Sequence, residues 1–327
     1  MQAVLWRRAK RCLALFCERH LRGALFLLAA ITGVGFALAG DSATVEAQEY
    51  SAYSDPERPA ISFILSEEQN VEEFRQKFGL SNEQIEEVSA AVLRENEALA
   101  KAYAESEQIV EANKELPEEQ IAQKIAASDY HEKVRAAIAE TKSSIEGMLP
   151  EDRRAELKAW VDAKFAQEEQ ELSEASVATD QVSVAGGRSL KCKVFATQYH
   201  GYTRREVALP HWRLKDKGSL NVRLKRGGHK AKVRVKEVGP WNIYDNYWNA
   251  RRSYERMNRW DHLRHLPRCT PWAHAAYFRN YNRGKDQYGR PVTNPAGVDL
   301  TPRVARALGL KKYQNAWIYV RYPWVRR

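Results

Sequence analysis

Gly289-Arg-Pro-Val-Thr-Asn-Pro-Ala-Gly-Val-Asp-Leu-Thr-Pro-Arg-Val-Ala-Arg-Ala-Leu-Gly-Leu310 is the stretch on which the reading of the C-terminal half turns. It predicts a short apolar strand that ends in Asp299-Leu-Thr-Pro302 and passes at once into a helix. Thr301 is placed to cap that helix, and Pro302 suits its first position. Val304, Ala305 and Leu308 then form the apolar stripe of a small packed helix.

Upstream, Val233-Arg-Val-Lys-Glu-Val-Gly-Pro240 predicts a strand running into a Gly-Pro turn. Ser219–Arg226 and Lys230–Lys236 alternate apolar and basic residues around Gly227-Gly228-His229, a hairpin signal. Leu220, Val222 and Leu224 point one way and the basic residues the other. Lys191-Cys-Lys-Val-Phe-Ala-Thr197 opens this half, and Asn315–Pro323 closes it as another strand. Strands near both ends with one late helix fit a small closed barrel.

These two motifs resemble the signature of double-psi β-barrels of the rare-lipoprotein-A, expansin and barwin type. Such barrels carry a strand ending in Asp-x-Gly-Pro, then Gly-x-x-(Ile/Val)-Asp-Leu-Ser and a helix ending in Ala-x-x-Leu-Gly. The resemblance covers about 110 residues. It implies action on, or binding to, peptidoglycan or another cell-wall glycan. It also implies that Asp299 is the catalytic acid of a lytic transglycosylase-like site, with Glu237 at the other carboxylate position. Glu237 lengthens the usual Asp, and Val238 replaces its Arg neighbour. An exposed Asp299 among 31 basic side chains would stay ionised, so acid catalysis requires burial. The alternative role for Asp299 is to accept hydrogen bonds from backbone amides at the start of its own helix.

Residues 241–288 form a long insert relative to compact members of that family. Trp241, Tyr244, Asn246, Tyr247, Trp248 and Tyr281 supply rings and amides of the kind that stack on sugar faces and meet their hydroxyls. The same mixture would stack nucleic-acid bases, or fill the minicore of a long loop. Cys192 and Cys269 form a candidate disulfide; Cys12 and Cys17 lie near the N-terminus. His262, His265, Cys269 and His274 have spacings open to a metal, but Arg264 and Arg268 argue against a cation. No metal and no cofactor are expected.

Charge divides the chain. Residues 191–327 carry 31 Lys and Arg against 8 Asp and Glu, whereas residues 40–190 carry 15 against 33. Residues 1–39 place six basic side chains before an uncharged apolar run from Ala24. They read as a cleaved signal peptide or a retained signal anchor, which would also bind the membrane. Residues 40–60 read as a linker, 61–172 as an acidic helical domain, and 173–190 as a second linker. Ile85, Val88, Val92, Leu99 and Tyr103 share one helical face. Ser66 with Gln69 and Ser81 with Gln84 have capping-box spacing. These Leu-Ser-x-x-Gln starts resemble, faintly, Spy-type helical proteins of the bacterial periplasm.

The expected architecture is therefore α + β: a helical bundle or hairpin, then a small basic barrel with an aromatic-rich insert. The expected partner is a cell-wall glycan or an anionic envelope polymer, met in the periplasm, outside the cell, or on the outer face of the cytoplasmic membrane. Nucleic acid is disfavoured because export removes its usual target. In a third reading, the acidic domain folds over the basic one and masks its groove, and high salt opens it.

Overall fold

The computed structural model describes residues 50–182, 189–199, 204–214, 220–249 and 266–326. Residues 1–49, on which the expected signal segment falls, lie outside them, as do His262 and His265. Among the described residues no helix is long and apolar enough to cross a membrane.

Six helices build the acidic half: α1 (Ala60–Ile64), α2 (Glu68–Phe78), α3 (Asn82–Ala112), α4 (Glu118–Ala126), α5 (Tyr130–Gly147) and α6 (Arg154–Val182). Ser81 and Gln84 form the expected capping box and start α3. Ser66 does not cap: its hydroxyl donates to the Phe63 carbonyl at 2.7 Å, and α2 begins after Glu67. Gly79 ends α2 in the left-handed region (φ 66°), which glycine adopts at little cost.

Part of each expected linker is folded. Residues 50–59 are folded, with Ala52 and Tyr53 buried and the Tyr53 amide donating to Asp162 at 3.0 Å. Helix α6 runs on to Val182, because residues 173–182 contain no Gly or Pro to stop it.

The basic half is a closed six-stranded barrel of β1 (Ser189–Gln198), β2 (Glu206–Leu209), β3 (Asn221–Arg226), β4 (His229–Val238), β5 (Ala296–Leu300) and β6 (Ala316–Arg326). Their order around it is β1-β5-β2-β4-β3-β6. Two pairs are parallel, β1 with β5 and β2 with β4; the other four are antiparallel. Exchanging β1, β2, β3 with β4, β5, β6 leaves this pattern unchanged, so its pairing has an internal two-fold relation. Closure leaves no bare sheet edge. Alternate residues fill the interior, among them Val194, Val207, Val222, Val233, Val298 and Ile318.

Between β4 and β5 the chain forms α7 (Trp272–Arg279); between β5 and β6 it forms α8 (Pro302–Ala307). Pro302 opens α8 as expected, but Thr301 does not cap it with its side chain. The Thr301 hydroxyl instead accepts from the Glu206 amide at 3.4 Å, tying β5 to the start of β2. Cys192 and Cys269 are joined in a disulfide that ties β1 to the insert.

The two halves share a core. Phe63 of α1 lies within 6.4 Å, ring centre to ring centre, of Phe165, Phe195, Tyr277, Phe278 and Trp317. Those partners come from α6, β1, α7 and β6, so one helical side chain organises both halves. Ion pairs Glu68–Arg226, Glu97–Lys312 and Glu169–Arg279 surround this core. Such partly exposed pairs are worth little singly, whereas burying the rings contributes several kcal/mol. The contact thus differs from an electrostatic mask on a flexible tether.

Candidate active site

Asp299 lies on β5 between two neighbours in register, Thr197 of β1 and Ala208 of β2. Ala208 also pairs with Glu237 of β4. Thr197, Asp299, Ala208 and Glu237 therefore form one row across the barrel wall. Flanking residues of β5, Val298 and Leu300, fill the barrel interior, so Asp299 points outward. A register shift in the β2–β4 pairing, between Val207 and Ala208, brings Glu237 into the same row after Val235 has pointed inward.

Helix α3 covers this row. Asn96, Leu99, Ala100, Tyr103, Ala104 and Glu107 recur at helical spacing and line one side of a cavity of about 280 Å³. Thr197, Glu237, Trp241, Asn294, Asp299 and Tyr313 line the other.

Asp299 is buried, and burial pushes its carboxyl up to about 7. A hydrogen bond from the Thr197 hydroxyl to Oδ1 works against that rise, and the charge of Glu107 adds to it. The charged neighbour that matters is thus an acid from the helical half. Among the described residues no backbone amide of α8 donates to Asp299, so its carboxyl does not serve as that helix's cap. Gly239, in the Gly-Pro turn, has φ 142° and would place a Cβ 3.6 Å from Asp299 Oδ2. The positive φ is what calls for glycine here, since a Cβ at that distance would make only ordinary contact with the oxygen.

Arg290 fixes the covering helix. It is fully buried and donates from Nε to Asp286 at 2.7 Å and from Nη1 to Ser106 at 3.0 Å. Nη1 also meets Glu107, and the guanidinium stacks on the Tyr103 ring at 4.5 Å. Burial disfavours its charge, but Asp286, Tyr103 and Glu107 outweigh that and hold it protonated. One arginine thereby positions two residues of the α3 wall. The Tyr103 hydroxyl accepts from the Trp241 amide at 3.3 Å, and Trp241 Nε1 donates to Asn294 at 3.0 Å.

Of the aromatic and amide residues singled out in the insert, Trp241 alone lines the cavity. Tyr247 and Trp248 are buried in the barrel core, where the Tyr247 hydroxyl donates to the Gly297 carbonyl at 2.8 Å. Tyr244 is half-buried and donates to Glu118 at 2.9 Å. Asn246 is buried, and Tyr281 packs beside the shared aromatic core. Sequence spacing missed Thr197, Tyr103, Glu107 and Arg290. Tyr103 did fall on the predicted apolar face of α3, and that face is the one aimed at the cavity.

Among the described residues no group of three or more His, Cys, Asp or Glu is placed to hold a metal ion. His274 is buried beside Phe278 and stays neutral, and Cys269 is committed to its disulfide.

A family model described as a domain of unknown function (DUF8814) matches residues 173–321, from late α6 into β6. The matched stretch holds Thr197, Glu237, Trp241, Arg290 and Asp299, and leaves the α3 wall outside it. No curated protein and no solved structure matches the chain.

Proposed function

We propose that the barrel is a double-psi β-barrel of the rare-lipoprotein-A type and that its cavity binds, and cleaves, a cell-wall glycan at the outer side of the cytoplasmic membrane. The two-fold relation in the strand pairing supports the first part, as does the meeting of the Gly-Pro turn with Asp299. The observation that carries the second is the protonatable carboxyl of Asp299, raised to about 7 in a cavity wall. The sequence alone left an ionised aspartate; burial under α3 supplies the missing condition.

In this reading Asp299 donates its proton to the glycosidic oxygen as the bond from the anomeric carbon to that oxygen breaks. The resulting carboxylate then takes the proton of the muramyl 6-hydroxyl, whose oxygen attacks the anomeric carbon and closes an anhydro ring. The acid is restored and no water is consumed. A single residue acts in both roles, unlike the paired carboxylates of common glycosidases. Trp241 supplies a ring for the sugar face, and Asn96, Asn294 and Asn315 supply amides. The helical half is one wall of the site.

Glu237 favours a second reading. It sits two strands from Asp299, roughly 10 Å at the backbone. Two carboxylates with room for a water between them suit hydrolysis with inversion. Incubating the protein and its Asp299→Asn variant with purified peptidoglycan separates these outcomes by product mass. Anhydromuramyl ends from the parent alone support the single-acid mechanism, and reducing ends support hydrolysis. No product, with both forms still co-sedimenting with the wall, leaves a binding module.

A further inference from the structure

On the side of the barrel formed by β4, β3, β6 and β1, most outward residues are cations. Arg223 lies in register with Lys232 on one side and Arg321 on the other, and Arg321 lies opposite Lys191. In the next row Lys225 faces Lys230. Adjacent strands are about 4.8 Å apart, so these are like charges held side by side. Directly opposed like charges weaken a sheet. Among the described residues no carboxylate pairs with any of the six. The fold gains nothing from this arrangement, whereas an anionic ligand would relieve it.

We propose that this sheet face binds a flexible linear phosphate polymer, independently of the cavity around Asp299. Lysine acts as a point charge for phosphate and arginine as a fork, and two parallel rows of them suit a chain of repeating charges. Among the described residues the face offers no open platform for bases: Tyr319 is covered by Lys191 Nζ at 3.7 Å from the ring centre, and Trp317, with Lys193 Nζ 5.3 Å from its ring centre, is packed against the shared core. Among the described residues it also offers no other exposed large apolar side chain for insertion into a lipid surface, the rest being Tyr50, Leu116 and Trp212, away from this face. A charge-only face thus selects a phosphate chain without bases or bilayer.

The probe is long-chain inorganic polyphosphate, bound to the whole protein at several salt concentrations. Four phosphate contacts released together predict a roughly 50-fold loss of affinity between about 50 and 200 mM salt. Arg223→Glu with Arg321→Glu should weaken binding at least tenfold and flatten the salt dependence, while thermal stability holds because repulsion is relieved. Arg303→Glu with Arg306→Glu, an equal charge change on α8, should change binding little. Asp299→Asn should leave it unchanged, which keeps this test separate from the glycan reading. Equal weakening by the two charge-reversal pairs would overturn the proposal. So would absence of polyphosphate binding at about 50 mM salt, or tighter binding to single-stranded DNA or to phosphatidylglycerol vesicles.

Discussion

Asp299 and Glu95 are both buried carboxyls raised far above their ordinary range, and their surroundings differ. Glu95 is held up to about 8 by burial between α3 and its neighbours. It faces no sizeable cavity. Asp299 opens onto one. Both impose the same sign on stability. A carboxyl whose folded pKa exceeds its unfolded value is bound to a proton longer in the native state. Stability then falls as pH rises between the two values, by about 1.4 kcal/mol per pH unit and site. For Asp299 that window runs from about 4 to about 7. Asparagine keeps the shape and still accepts from Thr197. Asp299→Asn should therefore match the parent in thermal melts near pH 4 and exceed it at pH 8. An equal melting temperature at pH 8 would mean that the parent carboxyl ionises without penalty.

At the scale of elements, α1 does more than its five residues suggest. The chain reads as linker up to residue 60, yet Ala60–Ile64 is wholly buried and inserts Phe63 among rings from four other elements. Phe63→Ala should cost about 3–5 kcal/mol in urea unfolding and loosen both halves together, read as a single transition at lower midpoint. Two separate transitions would show that the halves fold apart. Much of the architecture was legible: the hairpin around Gly227 and Gly228, the strand into Pro302, and the α3 capping box all follow from local chemistry. The exchange of groove for core in Tyr247 and Trp248 was not legible. An aromatic in a long insert has the same composition whether it faces a ligand or a core, and only closure of the barrel decides. Arg290 was likewise hidden among many basic residues, because its partners Ser106 and Glu107 lie far away in sequence.

For the whole molecule, the opposite charges of the two halves suggest a mask that salt would release. The structure puts an aromatic core, a buried arginine and a cavity at the junction instead. Hydrophobic contact is not screened by salt. The hydrodynamic radius should stay constant from about 0.1 to about 1 M NaCl, as read by light scattering; an increase would restore the mask. The acidic half then reaches the carboxyl of the barrel, since the charge of Glu107 adds to the upward shift of Asp299. Glu107→Gln should move the Asp299 titration to lower pH.

A protonatable Asp299 in the junction cavity is the centre of this account. Its titration can be followed directly by the carboxyl carbon resonance of aspartate-labelled protein, with Asp299→Asn identifying the signal. A midpoint near 7 is the predicted result. A midpoint in the ordinary carboxylate range, near 4, would contradict it and remove the acid from the proposed reaction.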